Sequence, residues 1–301
     1  MPQSRRLLAI ANPISGRGLA VKVAPRLAQL AKQTGVEIDL RLTQSAGDGR
    51  NLASRAAADG FSGVIAVGGD GTINEVVNGL GANGLPLMVI AKGTGNVLAK
   101  EIGAPSDPMR YLKPLMQWKT FERDLGRLND GRLFTCFVGA GFDGECTRLL
   151  KERRHGAINI VQYGPIILEA LNNARFTTLD VEMDGRKVFD HASYALTSIT
   201  PRYGGPIELA SDACPDDGKL DLMATHEAIS WWSVFKMMVR GLLRRVKDSR
   251  ASGFFRGARV SVNAHEPGGA PVPIQVDGDF AGHLPYSAEI IPAGLTLFAT
   301  R

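Results

Sequence analysis

The run Val64-Ile65-Ala66-Val67-Gly68-Gly69-Asp70-Gly71-Thr72-Ile73-Asn74-Glu75 constrains this chain most, because an apolar strand meets three glycines around one carboxylate and then opens a helix. Glycine lets the main chain approach an anion with no Cβ in the way. The free N–H groups and positive dipole end of the following helix favour negative charge there. The spacing excludes both G-x-x-x-x-G-K-[ST] and G-x-G-x-x-G, so this is a phosphate cradle of another kind. A lone Gly-Gly also fits an ordinary tight βα turn. Two further elements of the same grammar tip the balance. Leu87-Met88-Val89-Ile90-Ala91 leads into Lys92-Gly93-Thr94-Gly95-Asn96 and a helix, and Leu7-Leu8-Ala9-Ile10-Ala11 leads into Asn12-Pro13-Ile14-Ser15-Gly16-Arg17-Gly18 and a longer helical pattern. Three such turns would stand on the carboxyl edge of one parallel sheet, where open α/β sheets bind ligands.

The texture of the chain changes near residue 122. Before it, apolar strands alternate with helical patterns at 21–33, 49–58, 72–80 and 94–101, a parallel α/β arrangement. After a Pro-containing loop at 104–108 and a last helical pattern to Trp118, the periodicity predicts short strands at 133–138, 178–183, 192–198 and 259–262. Asp-Gly pairs at Asp130, Asp184, Asp217 and Asp277 punctuate them and mark hairpin turns. The expected fold is therefore α/β plus all-β: a parallel α/β nucleotide-binding domain over 1–122, an antiparallel β domain over 123–292, and a last strand within 293–301. At 301 residues, 44% hydrophobic and 22% charged, the chain can bury two such cores.

Other chemistries find little support. Cys136, Cys146 and Cys214 form no C-x-x-C pair, and the five histidines lack metal-ligand spacing. No apolar run approaches the roughly 18 residues that span a bilayer, and the segment 7–11 is too short for a signal peptide, so a cytoplasmic protein is expected. The basic excess of 35 over 30 acidic residues is not joined to an aromatic-rich nucleic-acid motif.

The ordered set Asn12-Pro13-x-Ser15-Gly16, Gly68-Gly69-Asp70-Gly71-Thr72-x-Asn74-Glu75, Gly93-Thr94-x-Asn96-x-x-Ala99, Gly139-Ala140-Gly141-Phe142-Asp143, Asp216-Asp217-Gly218-x-Leu220-Asp221 and Asp277-Gly278-Asp279 resembles the diacylglycerol kinase catalytic domain superfamily, which includes bacterial lipid kinases and sphingosine and ceramide kinases. The resemblance implies a β-sandwich second domain, an active site in the cleft between the domains, and ATP and Mg²⁺ as cofactors. It implies that Asn12, Pro13, Ile14, Ser15 and Gly16, with Thr43, Gly68, Gly69, Asp70, Gly71, Thr72, Ile73, Asn74 and Thr94, hold the nucleotide, and that Asp70 links to the catalytic Mg²⁺ through water. Asp279 takes the place of the general base, where the family usually has Glu, and Asp277 is the substitute. Asp217, with the carbonyls of Cys214 and Lys219, corresponds to a structural Mg²⁺ site, and hard oxygens around a turn suit that ion. The implied activity is phosphorylation of a membrane lipid hydroxyl, diacylglycerol first, with a sphingoid base, ceramide or phosphatidylglycerol as the alternative. Asp279 in place of Glu, and Lys92 before the Gly-Thr, also motivate a catalytically silent binding protein as a rival. A kinase of the NAD kinase type is a third reading.

Residues 230–247 offer a route to a lipid. At 100° per residue Trp231, Phe235, Met238, Leu242 and Val246 fall on one face, and Lys236, Arg240, Arg244 and Lys247 on the other. A basic amphipathic helix with tryptophans can lie on an anionic membrane, whereas an ordinary surface helix would pack the same apolar face on its own domain. The partner expectations are thus a membrane lipid, peripheral contact with the inner face of the membrane through Trp231 to Lys247, no nucleic acid, and an oligomeric state that the residues leave open, a homodimer among the options.

Overall fold

The structure, a computed structural model, describes residues 5–16, 18, 21–93, 95–153, 163–173, 178–203, 205–266 and 268–300. The chain divides into two compact units, residues 1–125 with 293–301, and residues 126–292.

The first unit is built from β1 (Arg6–Ala11), α1 (Ala24–Thr34), β2 (Glu37–Leu42), α2 (Asp48–Arg55), β3 (Gly63–Gly68), α3 (Asp70–Leu80), β4 (Leu87–Ala91), α4 (Val97–Glu101) and α5 (Leu112–Met116). Its strands run parallel in the order β2-β1-β3-β4. Residues 7–11 of β1 and all of β3 are buried, as are residues 87–90 of β4. This is why these strands read as continuous apolar runs rather than as alternating ones. Leu27 and Leu30 of α1 pack with Leu7, Ile65, Met88 and Phe298 in one core. Helices α2 and α3 lie close enough that a Cβ on Gly79 would sit 2.3 Å from the Arg50 carbonyl. The Glu75 carboxylate of α3 accepts N–H bonds from Gly47 at 2.8 Å and Gly49 at 3.0 Å, capping the open start of α2.

The chain continues through β5 (Thr120–Leu128), β6 (Leu133–Phe134), β7 (Phe137–Ala140), α6 (Phe142–Glu152), α7 (Tyr163–Asn173), β8 (Leu179–Met183), β9 (Arg186–Ala192), β10 (Tyr194–Ser198), β11 (Leu220–Thr225), α8 (Trp231–Leu242), β12 (Ser252–Gly257), β13 (Arg259–Ala264), β14 (Pro273–Val276), β15 (Asp279–His283) and β16 (Tyr286–Phe298). In the second unit β12-β11-β10-β7-β14-β15 form one antiparallel sheet, and the first part of β16 pairs with β13, then β8 and β9, in another. Val138, Leu222 and Ile274 of the first sheet share a buried cluster with Val181, Val260 and Ala288 of the second, so the two sheets face each other across one core. The last residues of β16 belong to the first unit, where Leu297 pairs in parallel with Leu87.

Several details depart from the sequence reading. The strand expected over 133–138 is broken into β6 and β7, because the N–H groups of residues 135–137 turn to a side chain. Helices α6 and α7 stand between the strands expected at 133–138 and 178–183, where the sequence reading placed no element. Asp184-Gly185 and Asp277-Gly278 do form two-residue hairpins, with both residues at positive φ (51° and 75°, 49° and 89°). Asp217-Gly218 lies instead at the end of the long connection between the paired strands β10 and β11 and forms no two-residue hairpin. Among the described residues no helix is long and apolar enough to cross a membrane.

Candidate functional site

The registers Ala11↔Leu42, Ala11↔Val67 and Gly68↔Ala91 align the carboxyl ends of four parallel strands in one row. The Asn12 loop, Thr43 and both described glycine turns follow directly from those ends. Asn12 N–H donates to the Val67 carbonyl at 3.1 Å, and its side chain accepts from Ile14 N–H at 3.1 Å. Thr43 is buried, its N–H held by the Ala11 carbonyl at 2.9 Å. Ile14 projects outward with 71% of its surface exposed, whereas Ile73 packs into the core and the Asn74 side chain accepts from Asn78 on the next turn of α3. Thr94 lies outside the described residues.

Asp70 opens α3, yet its carboxylate serves another helix. Its Oδ2 accepts from Asn96 N–H and its Oδ1 from Val97 N–H, both at 2.6 Å. These are among the N–H groups that α4 leaves without an intrahelical partner. One carboxylate therefore ties the first glycine turn to the second. Burial pushes its pKa above the usual carboxylate range while the two N–H donors hold it down. The glycines are what permit the contact: a Cβ on Gly95 would stand 2.5 Å from Asp70 Oδ2, and one on Gly93 would stand 2.5 Å from Gly69 Cα. Asn96, at φ 51°, closes its own turn by accepting from Gly93 N–H at 2.9 Å and donating to the Gly93 carbonyl at 2.6 Å. Gly93→Ala is expected to destabilise the chain by about 1–3 kcal/mol, because the clash is with backbone that cannot step aside. A lowered thermal unfolding midpoint checks it.

Lys92, which departs from the resembled pattern, donates from Nζ to the Ser106 carbonyl at 2.8 Å and tethers the loop beyond α4. Beside it lies a cavity of about 390 Å³ lined by Asn96, Lys100, Ser106, Arg110 and Thr300. Two cationic side chains at a glycine turn suit an anionic group.

In the second unit Asp279 is exposed at the start of β15, across from Val276. Asp277, its neighbour but one, is buried and engaged. It accepts from Thr135 N–H at 2.7 Å, Thr135 Oγ1 at 3.0 Å, Cys136 N–H at 2.9 Å and Phe137 N–H at 3.0 Å. The Asp277 oxygens thus hold the hairpin together, and its carboxylate is buried. Gly278 N–H donates to Gln275 Oε1 at 2.8 Å, and Gln275 Nε2 donates to Asp143 Oδ2 at 3.0 Å. Asp143 also accepts from the Tyr194 and Tyr203 hydroxyls, each at 3.1 Å, and from Gly144 N–H at 2.8 Å. Burial raises the pKa of Asp143 and of both tyrosines. Gln275, Tyr194 and Tyr203 carried no motif in the sequence, and only the folded sheet reveals them as supports of the Asp279 turn.

Asp217 accepts from Lys219 N–H at 3.1 Å and is ion-paired with Arg256, whose Nε reaches Asp221 Oδ1 at 3.0 Å. Asp221 Oδ2 is buried with no hydrogen-bond partner. Among the described residues no group of three or more His, Cys, Asp or Glu side chains is placed to hold a metal. A hard cation held by a carboxylate and turn carbonyls does not need such a cluster, and the orphaned Asp221 oxygen beside Asp217 fits that donor set. Desolvation pushes Asp221 up to about 6 despite Arg256. The folded state then keeps its proton while the unfolded chain has already lost it. Stability should therefore fall as pH rises from about 4 towards 6 in metal-free buffer. Asp221→Asn should flatten that dependence in thermal unfolding.

Residues 6–128 match the family described as "Diacylglycerol kinase catalytic domain", and residues 136–299 match the "YegS C-terminal NAD kinase beta sandwich-like domain". The chain is 32% identical over 286 residues to a diacylglycerol kinase of Bacillus subtilis (strain 168), covering 93% of this chain and 92% of that one. It is 29% identical over 309 residues to a diacylglycerol kinase of Mycobacterium tuberculosis (strain ATCC 25618 / H37Rv), covering 98% and 96%. The crystal structure of a diacylglycerol kinase from Bacillus anthracis str. Sterne shares the fold, with a TM-score of 0.70 at 19% identity over 99% of this chain and 98% of that one. Both halves match in order and a relative above 30% identity spans nearly the whole length: the chain belongs to the diacylglycerol kinase catalytic domain superfamily.

Proposed function

We propose that this protein transfers the γ-phosphate of ATP to a hydroxyl of a membrane lipid, with diacylglycerol as acceptor and phosphatidic acid as product. The observation that carries the reading is the pair of glycine turns at one sheet edge, locked to each other by the Asp70 carboxylate. In this reading the Asn12 to Gly16 loop, Thr43, Gly68 to Asn74 and Thr94 hold the nucleotide, and Lys100 and Arg110 add positive charge beside the second turn. Bound Mg²⁺ supplies charge neutralisation at the phosphates. Asp70 retains acceptor capacity after taking two N–H bonds, enough for a link to that ion through water. Asp217, with the Cys214 and Lys219 carbonyls, would hold a second Mg²⁺, whose charge would draw those turn oxygens together.

Phosphoryl transfer asks little covalent help of the protein beyond position and charge. Asp279 takes the proton of the acceptor hydroxyl as its oxygen bonds to the γ-phosphorus and ADP leaves. Aspartate is one methylene shorter than glutamate, and the hairpin that Asp277 and Gln275 brace supports a fixed placement for it. The protein meets its acceptor by peripheral contact with the inner face of the membrane.

The test is label transfer from γ-labelled ATP to mixed micelles of diacylglycerol, ceramide, sphingosine or phosphatidylglycerol, assayed separately. Labelled phosphatidic acid with wild type, and none with Asp279→Asn, is the expected result. Intact ATP binding with no labelled lipid overturns the reading and returns the silent binding protein.

A further inference from the structure

Helix α8 carries two apolar faces. Ser230 and Ser233 form a reciprocal cap at its start, and Val234 packs inward among Phe142, Leu149, Ile166 and Ala170. Gly241 lets the helix seat closely: a Cβ there would meet Ile207 at 2.6 Å. These residues account for the attachment of the helix to its own unit. Seven further apolar side chains point away from it. Trp231 is 62% exposed, Trp232 64%, Leu242 57% and Leu243 59%, and Phe235, Met238 and Val239 are exposed between them. At 100° per residue these seven fill one arc of about 140°.

The arc differs from the face read in the sequence. Val246 is buried in a separate turn beyond the helix. Lys236 and Arg240 border the arc on one side, both directed to Glu227. Trp232, Val239 and Leu243 join the exposed stripe, which Val246 leaves. Nothing in the attachment of α8 requires this second apolar face.

We propose that the outward face of α8 is a docking surface for an anionic lipid bilayer, with the helix lying in the interface and its seven apolar side chains turned to the acyl boundary. The inference rests on the lipid kinase reading, since such a surface serves an enzyme whose acceptor stays in the membrane. Charge complementarity selects the occupant. Residues 231–250 contain six basic side chains, Lys236, Arg240, Arg244, Arg245, Lys247 and Arg250, against the single acid Asp248. Glu227, Glu208 and Asp212 engage four of the six. Among the described residues Arg245 and Arg250 form no ion pair and are exposed, just beyond the leucine end of the stripe. Basic residues flanking an apolar face, with tryptophans at one end, are the pattern of an interfacial helix. A second copy of the chain is a poorer occupant, because it would bring the same basic cluster to the contact and offer it no complementary charge.

The experiment uses the full chain and vesicles of phosphatidylcholine alone or mixed in equal parts with phosphatidylglycerol. Wild type should cosediment with the mixed vesicles and show a blue shift in tryptophan emission, because Trp231 and Trp232 report the stripe while Trp118 is already packed against Phe298. Trp231→Ser with Trp232→Ser, both at exposed sites, should weaken binding on the order of tenfold or more. Arg245→Glu with Arg250→Glu should weaken binding to mixed vesicles and leave binding to neutral ones unchanged. Equal binding by wild type and the tryptophan variant, or a wild-type dimer that the variant dissociates in sedimentation equilibrium, overturns the proposal. Phosphorylation of a water-dispersed short-chain diacylglycerol separates the two readings. The tryptophan variant should keep that activity and lose activity on vesicles. Vesicle binding without any phosphoryl transfer would sink the kinase reading and leave the docking surface standing.

Discussion

Asp277→Asn should lower the unfolding free energy by about 2–4 kcal/mol, although the substitution changes one atom. An amide has one acceptor oxygen, and its NH₂ would be turned against donors that now meet the second carboxylate oxygen. Thr135, Cys136 and Phe137 all spend their N–H groups on this side chain. Thermal or urea unfolding checks the loss, and an unchanged midpoint would mean that the turn finds other acceptors. The contrast lies two residues on. Asp279 is exposed, so Asp279→Asn should leave stability within about 0.5 kcal/mol and cut turnover by 10²-fold or more. Those two outcomes together would separate neighbouring aspartates of one hairpin into a stability residue and a turnover residue.

Asp70→Asn is the second large effect, and its readouts divide two roles. If the carboxylate acted only as a link to the catalytic ion, the variant would fold as stably as wild type and fail only in turnover. The bonds to Asn96 and Val97 instead predict that one of those N–H groups is left facing an amide NH₂. The expected cost is about 1–3 kcal/mol in unfolding free energy, together with weaker ATP binding and turnover reduced by about 10² or more. ATP affinity measured by calorimetry beside the unfolding midpoint distinguishes the cases. Full stability with lost turnover would restore the purely chemical role.

The strand-turn-helix grammar of the first unit was legible because β1, β3 and β4 are buried along almost their whole length and run into glycine-containing turns, so their apolar runs are uninterrupted. Asp184-Gly185 and Asp277-Gly278 likewise declared their hairpins, since only residues that tolerate positive φ serve there. The unread parts are those in which a distant side chain replaces a backbone partner. Nothing local in Thr135-Cys136-Phe137 indicates that a carboxylate 140 or more residues away ends the strand ladder. The same holds for Glu75, which reads as part of the glycine motif and proves to cap α2. Helix α6 left a trace in Phe142, Cys146, Leu149 and Leu150, an i, i+4, i+7, i+8 spacing. The glycines and charges around it obscured the period. In α8 the apolar count was visible but not which residues the fold would leave outside.

Three successive amides sharing one acceptor have a consequence for hydrogen exchange. The N–H groups of Thr135, Cys136 and Phe137 sit where the ladder is interrupted, a position at which rapid exchange would ordinarily be found. Because all three donate to Asp277, no one of them opens independently while that carboxylate stays in place. They should exchange with deuterium through one shared opening, with a common protection factor, and slow or quicken as a set when the hairpin carrying Asp279 closes or opens.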